Sequence, residues 1–228
     1  VSTRPALAPL DPARSVVDQL RERVAAMESR PAREQVPTLP GLAELVPLHA
    51  GDTYAVDSAG LALALAAGAS AAGEWVGFAG CPDFGAEAAA ELGLALERTV
   101  LVPDPGEHWL EVTAALVDVL RVVVLRPPSA VDARAAGILD SRLRSRSAVL
   151  VVHGEWPRVA ARLSVEESRW TGPAGGQGRL VERRARVAVR RGARPPERAD
   201  LVWPGARPAA PIAPAVREPV APLRQASG

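Results

Sequence analysis

From residue 45 onward, short apolar runs alternate with stretches of helical period. Thr53–Val56, Trp75–Ala79, Thr99–Val102, Val122–Leu125 and Ala148–Val152 read as strands. Gly60–Ala72, Gly85–Leu92, Glu107–Val119 and Val131–Arg146 read as the helices between them. The runs Val122–Leu125 and Ala148–Val152 are apolar throughout instead of alternating, the pattern of strands buried on both faces. Strands alternating with helices predict an α/β fold, a mostly parallel sheet flanked by helices. The grammar then changes. Arg162–Trp170, Gly178–Arg190 and Ala199–Trp203 read as longer strands joined by the turns Gly172–Gly178 and Arg191–Pro196. That pattern predicts an antiparallel extension at the C-terminal edge of the sheet.

Two segments flank this core. Asp11-Pro12 is a helix start, an acidic N-cap before Pro at the first helical position. Val16, Leu20, Val24 and Met27 then share one face, and Arg30-Pro31 ends the helix. The segment Pro37–Gly41 separates this helix from the core, so its apolar face packs either on its own core or on a neighbouring subunit. Beyond residue 204, Pro recurs at 208, 211, 214, 219 and 222, which predicts an extended or disordered tail. That tail is either a plain disordered end or an anchor that orders on binding, through Ile212, Val216, Val220 and Leu223. The expected organisation is an N-terminal helix and linker over 1–44, a core over 45–204 and a Pro-rich tail over 205–228.

Composition narrows the chemistry. The chain has 228 residues, no Lys and no Asn, and all 27 basic residues are Arg. A phosphate-loop lysine, a Schiff-base lysine, a Ser-Lys dyad and a Cys-His-Asn triad are therefore excluded. One Cys rules out an internal disulfide, and His49, His108 and His153 lack metal-ligand spacing. The joint loss of Lys and Asn points to a very GC-rich genome of actinobacterial type. With no long apolar run and no leader pattern, the expectation is a cytoplasmic protein without membrane contact. Aromatic residues make up only 4% of the chain, so the core must rely on Ala, Val and Leu.

Charge is divided along the chain. Residues 50–120 carry eleven acids and one Arg, whereas residues 121–207 carry eighteen Arg and eight acids. Either the halves interleave and neutralise each other, or the molecule has an acidic and a basic face suited to charged partners. The basic run contains Arg179, Arg183, Arg184, Arg186, Arg190 and Arg191. These arginines could grip phosphates, form a solvated strand pair or meet an acidic protein. No base-stacking aromatic lies within the run, so it does not look like a single-strand stacking platform.

In an open parallel sheet, ligands sit beyond the carboxyl ends of the strands. The first such turn reads Ala55-Val56-Asp57-Ser58-Ala59-Gly60-Leu61-Ala62. A phosphate loop at this place needs Gly-x-x-x-x-Gly-Lys-Ser/Thr, and only Gly60 fits. Leu61 stands where the lysine would neutralise phosphate, and Ala62 where a hydroxyl would hold the metal. Arg126 ends the strand that would carry the metal-binding acid. Cys81, in Gly80-Cys81-Pro82-Asp83, has no motif to make it a nucleophile and reads as an incidental thiol.

The order of strand, Asp-Ser-Ala-Gly turn and Ala/Leu helix resembles the ATPase core of the RecA recombinases. Trp75–Ala79, Leu92–Leu96 and Leu101–Asp104 continue the likeness, which covers roughly residues 30–204. Cys81 falls near where that family carries its catalytic Glu. Among degenerate copies, the chain resembles the actinobacterial ImuA-prime family of mutasome accessory proteins. The stretches that carry this resemblance are Arg33–Leu42, Leu101–Gly106, Val124–Pro128 and Leu163–Val165 leading to Trp170. The resemblance implies a non-catalytic adaptor in translesion synthesis, with no cofactor. It would join an ImuB-like Y-family polymerase subunit and an error-prone C-family polymerase, with any DNA contact indirect. It also implies self-association through the helix bearing Val16, Leu20, Val24 and Met27. The alternatives are a SulA-type division inhibitor and a mediator that binds single-stranded DNA directly.

Overall fold

The computed structural model describes residues 34–172, 182–203 and 207–208. The N-terminal helix with Val16, Leu20, Val24 and Met27, the turn residues 173–181 with Arg179, and nearly all of the tail lie outside these. The described chain runs β1 (Gln35–Val36), α1 (Pro40–Ala43), β2 (Leu48–His49), β3 (Thr53–Val56), α2 (Ala59–Ala71), β4 (Val76–Ala79) and α3 (Ala86–Glu91). It continues with β5 (Thr99–Val102), α4 (Trp109–Val119), β6 (Val122–Leu125), α5 (Ala133–Arg146), β7 (Val149–His153), β8 (Ala161–Thr171), β9 (Glu182–Arg190), β10 (Glu197–Trp203) and β11 (Arg207–Pro208).

Among the described residues, nine strands form one sheet in the order β11-β10-β9-β8-β3-β7-β6-β4-β5. From β8 to β5 all neighbours are parallel; β8, β9, β10 and β11 pair antiparallel. The protein is thus an α/β fold with a mostly parallel sheet, flanking helices and an antiparallel edge.

The sheet separates two apolar clusters. On one face α2 and α3 pack with Tyr54, Val56, Phe78, Val124, Val151 and Leu163. On the other, α4 and α5 pack with Ala79, Val123, Leu125, Leu150 and Val152. Successive residues of β6 and β7 therefore serve opposite clusters, which is why these strands are apolar without alternation. The helices take sides with the direction of winding. From β3 through β5 the chain moves toward one edge of the sheet; from β5 through β7 it moves back. The helices of each leg cover a different face, as right-handed crossovers require.

Helix α2 is apolar all round, and every residue from Leu61 to Ser70 is buried. Its covering includes the segment before residue 45. A Cβ added to Gly68 would lie 2.3 Å from the Cα and carbonyl carbon of Thr38. Backbone crosses backbone here, and only glycine leaves the room. Val36, Leu39, Leu42, Leu45 and Val46 are all buried in the same cluster. The segment 35–45, which reads as linker in the sequence, is built into the core. Tyr54 fastens the end of this segment: its hydroxyl donates to Pro47 O at 3.1 Å and accepts from His49 N at 3.0 Å.

Local signals explain the helix ends. Ser58 caps α2, its hydroxyl accepting from Leu61 N at 3.3 Å. Asp132 does the same for α5, accepting from Ala135 N at 2.7 Å. Gly73 closes α2 at φ +92, with Glu74 N bonded to Ala69 O and Gly73 N to Ser70 O. Those two bonds are the Schellman pattern. Ser147 ends α5 at φ 55, and among the described residues it is the one non-glycine residue with positive φ.

Candidate functional site

The carboxyl ends of the parallel strands define the site that the topology marks out. The loop after β4 leads to α3 on one face and the loop after β6 leads to α5 on the other. Between them lies the switch point where open α/β sheets take ligands. In this chain the two loops are drawn together. A Cβ on Gly80 would stand 2.2 Å from Arg126 O, so the loops meet backbone to backbone. Gly80 has φ +72, which adds a conformational reason for glycine. Above that contact, Arg126 Nη1 pairs with Asp83 at 3.2 Å.

The first turn of α2 adds nothing that would hold a phosphate-bound metal. Leu61 is fully buried and packs in the core, and Ala62 offers only a methyl group. Ala62 and Cys81 border one small cavity with Phe78, Phe84, Val124 and His153. Its free volume is about 30 Å³. That is space for roughly one or two waters, against about 300–1,000 Å³ for small-molecule sites. The Phe78 and Phe84 rings fill the remainder, their centres 4.8 Å apart and tilted by 60°. Burial raises the pKa of the Cys81 thiol, the Asp83 charge adds to this, and Arg126 opposes it. A thiol so placed is protonated and unactivated. Among the described residues no group of three or more His, Cys, Asp or Glu is placed to hold a metal ion.

A wider groove of about 390 Å³ opens above β4 between three proline-bearing loops, Gly80–Pro82, Pro103–Gly106 and Arg126–Pro128. Its polar side chains are already committed. Arg126 faces Asp83, and Asp104 accepts from Gly106 N at 3.1 Å.

Asp83 and Asp118, from the acidic block of residues 50–120, meet arginines from the second half. Asp83 pairs with Arg126, and Asp118 pairs with Arg142 at 2.6 Å and Arg146 at 3.2 Å. Where these contacts form, the two charge blocks interleave.

The basic run does not make one surface. Strand side chains alternate, so β9 sends Arg184, Arg186 and Arg190 to one face and Arg183, Ala185, Val187 and Val189 to the other. On the first face carboxylates answer most of the guanidiniums. Arg186 contacts Asp200 at 3.2 Å and Glu167 at 3.4 Å, Arg184 contacts Glu182 at 3.0 Å, and Arg198 holds Glu166 through two bonds of 2.8 and 2.9 Å. Arg198 pulls the Glu166 carboxyl below its ordinary pKa, with help from the charges of Arg186 and Arg190. Arg191 turns instead to Leu45 O and Glu197. Among the described residues Arg190 has no carboxylate within ion-pair distance and acts on Glu166 only from farther off.

On the other face the sheet brings aromatics from neighbouring strands beside the run, which itself holds none. Trp170 of β8 and Trp203 of β10 are the cross-strand neighbours of Arg183. The guanidinium carbon lies 5.7 Å from the Trp170 ring centre and 5.9 Å from that of Trp203. Neither tryptophan lies within the Arg run, so only the register of three strands reveals the row. Asp57 is a further residue whose role the sequence does not disclose. Its carboxylate accepts from Val165 N at 3.0 and 3.2 Å, beside the register shift between Val165 and Glu167. It ties β8 to the turn that leads into α2.

Among the described residues no helix is long and apolar enough to cross a membrane. Comparison with known proteins places the parallel part of the molecule. The chain is 36% identical over 106 residues to the uncharacterized protein Rv3395c of Mycobacterium tuberculosis (strain ATCC 25618 / H37Rv). That match covers 46% of this chain and 52% of the relative, so it spans about half the length of the curated protein. A family model described as the MT3502 N-terminal domain matches residues 41–158, from α1 to just beyond β7. The region it covers holds the parallel strands β3 to β7 and the helices between them, and the chain belongs to the MT3502 N-terminal domain family.

Proposed function

We propose that the protein is a non-catalytic, RecA-like adaptor in cytoplasmic DNA-damage tolerance. On this reading it joins an ImuB-like Y-family polymerase subunit to an error-prone C-family polymerase during translesion synthesis, as its resemblance to the ImuA-prime family implies. One observation carries the non-catalytic part: the lack of phosphate- and metal-binding groups, and of space, where α2 meets the carboxyl end of β4. Leu61 is in the core, Arg126 is tied to Asp83, and the space between α2 and β4 is about 30 Å³. Phosphoryl transfer needs a cation for the β/γ phosphates and an oxygen ligand for magnesium. Leu61 and Ala62 supply neither, and Arg126 puts a positive charge where a metal would have to approach.

A fold that keeps its sheet without this chemistry acts through its surfaces. The strand–turn–helix order at residues 53–71, which carries the RecA resemblance, supports this reading. The test is nucleotide turnover by the purified full chain with magnesium and ATP, with and without single-stranded DNA. The adaptor reading predicts no turnover above buffer in either case. DNA-stimulated hydrolysis that follows the protein through size-exclusion chromatography would overturn it.

A further inference from the structure

The row formed by Trp170, Arg183 and Trp203 has an unusual charge environment. Arg183 Nε donates to Ser168 Oγ at 2.8 Å, which sets the plane of the guanidinium between the two indoles. Arg184, Arg186 and Arg198 on the opposite face each have a carboxylate, whereas Arg183 has none among the described residues. Its Nη1 also lies 3.3 Å from where a Cβ of Gly60 would stand, so the guanidinium rests on the first turn of α2. That end of a helix carries partial positive charge.

The two indoles differ. Trp203 is 7% exposed and its buried Nε1 has no acceptor among the described residues. Trp170 is 53% exposed, so one side of a large flat ring faces solvent beside an uncompensated cation.

We propose that this row binds single-stranded nucleic acid, with a base stacked on Trp170 and its phosphate at Arg183. This goes beyond the adaptor reading, which puts no nucleic acid directly on the chain, and either can fail without the other. A nucleotide uses both features at once, since every base has a π-face for the indole and every phosphate a charge for the guanidinium. An acidic peptide would use the cation and leave the indole bare. Because most neighbouring arginines are already paired, few phosphates are neutralised. The salt dependence is therefore shallow, with a slope of about −0.7 per phosphate engaged.

The experiment is fluorescence anisotropy of a fluorescein-labelled oligothymidylate titrated with the full chain at several salt concentrations. Circular dichroism checks that each variant is folded. Trp170→Ala is expected to weaken binding about 5- to 150-fold, the range for losing one base–aromatic stack. Trp170→Phe restores most of the affinity. Arg183→Gln weakens binding and flattens the salt dependence, while Arg184→Gln leaves both unchanged. The proposal is overturned if the wild-type chain does not bind, or if folded Trp170→Ala binds as tightly as wild type. It is also overturned if polyglutamate binds wild type and Trp170→Ala equally and competes with the oligonucleotide on both, which would make Arg183 an acidic-peptide site.

Discussion

The crossing of Thr38 over α2 gives a prediction with a sign that simple helix propensity would get wrong. Gly→Ala inside a helix ordinarily stabilises by about 1 kcal/mol. At Gly68 the new methyl carbon would stand 2.3 Å from two backbone atoms of Thr38 and 2.7 Å from Leu39 N. Ordinary contact begins at about 3.4 Å, so the two backbones must part by roughly 1 Å. No rotamer change relieves it, because the obstructing atoms are main chain. The displaced segment is itself anchored, with Leu42 fully buried and Leu39 at 8% exposure. Overpacking of this kind costs about 1–3 kcal/mol or more. Backbone obstruction puts Gly68→Ala at the upper end, about 3 kcal/mol less the helical gain, or ~2 kcal/mol net destabilisation. For a protein of this size that lowers Tm by about 4–8 °C. Gly137 in α5 is the control, since a Cβ there meets nothing within 4 Å. Gly137→Ala should therefore raise stability by up to about 1 kcal/mol. Urea unfolding followed by circular dichroism reads both, with unchanged m-values showing that the compactness of the states is preserved. If Gly68→Ala were as stabilising as Gly137→Ala, the packing of residues 37–39 on α2 would be refuted.

Further outcomes are expected at four sites, one with a control. Ser147→Gly should stabilise by about 1 kcal/mol in the same assay, since Ser147 holds φ 55 at the end of α5. Arg186→Ala should cost about 2 kcal/mol, because it strips Asp200, only 11% exposed, of its partner; Arg190→Ala should change stability by less than about 0.5 kcal/mol. In the native protein Cys81 should react with iodoacetamide at pH 8 more slowly than a free thiol, and at the free-thiol rate in urea. Its raised pKa leaves little thiolate, so equal native and unfolded rates would contradict the partly buried placement of Cys81. The Glu166 carboxyl is depressed by Arg198, so its stabilising contribution is complete above its unfolded pKa of about 4.3. That contribution is lost as pH falls through the lower folded value. Glu166→Gln should remove that part of the acid limb in unfolding measured across pH, and an unchanged limb would count against the pair.

Legibility in the sequence tracks the range of the interactions. The strands Thr53–Val56 and Val122–Leu125 have the boundaries their apolar runs predict, because burial on both faces writes itself into consecutive residues. Helix starts agree within a residue or two where Ser58 or Asp132 marks the cap. Pro37–Gly41 misleads because two prolines and a glycine look like a linker; only the distant Gly68 shows that a backbone passes there. The missing phosphate chemistry is visible at Leu61, Ala62 and Arg126, since it concerns residue types at fixed spacing. That Arg126 is held by Asp83, and that Phe84 fills the space beside Phe78, depend on loops from different strands. The arginine run illustrates the same limit. Its concentration is plain, but its division between two faces requires the β8–β9–β10 register. Trp170 and Trp203 lie thirteen residues before and twenty after Arg183, so no local window joins the three.

The adaptor claim is tested most directly by affinity capture of the full chain, with and without residues 205–228, from cells exposed to DNA-damaging agents. Bound proteins are identified by mass spectrometry, with nuclease treatment to remove bridging DNA. The account predicts nuclease-resistant recovery of a Y-family polymerase subunit and an error-prone C-family polymerase. Recovery of the tubulin-like division protein in their place, or of no polymerase subunit after nuclease treatment, would contradict it.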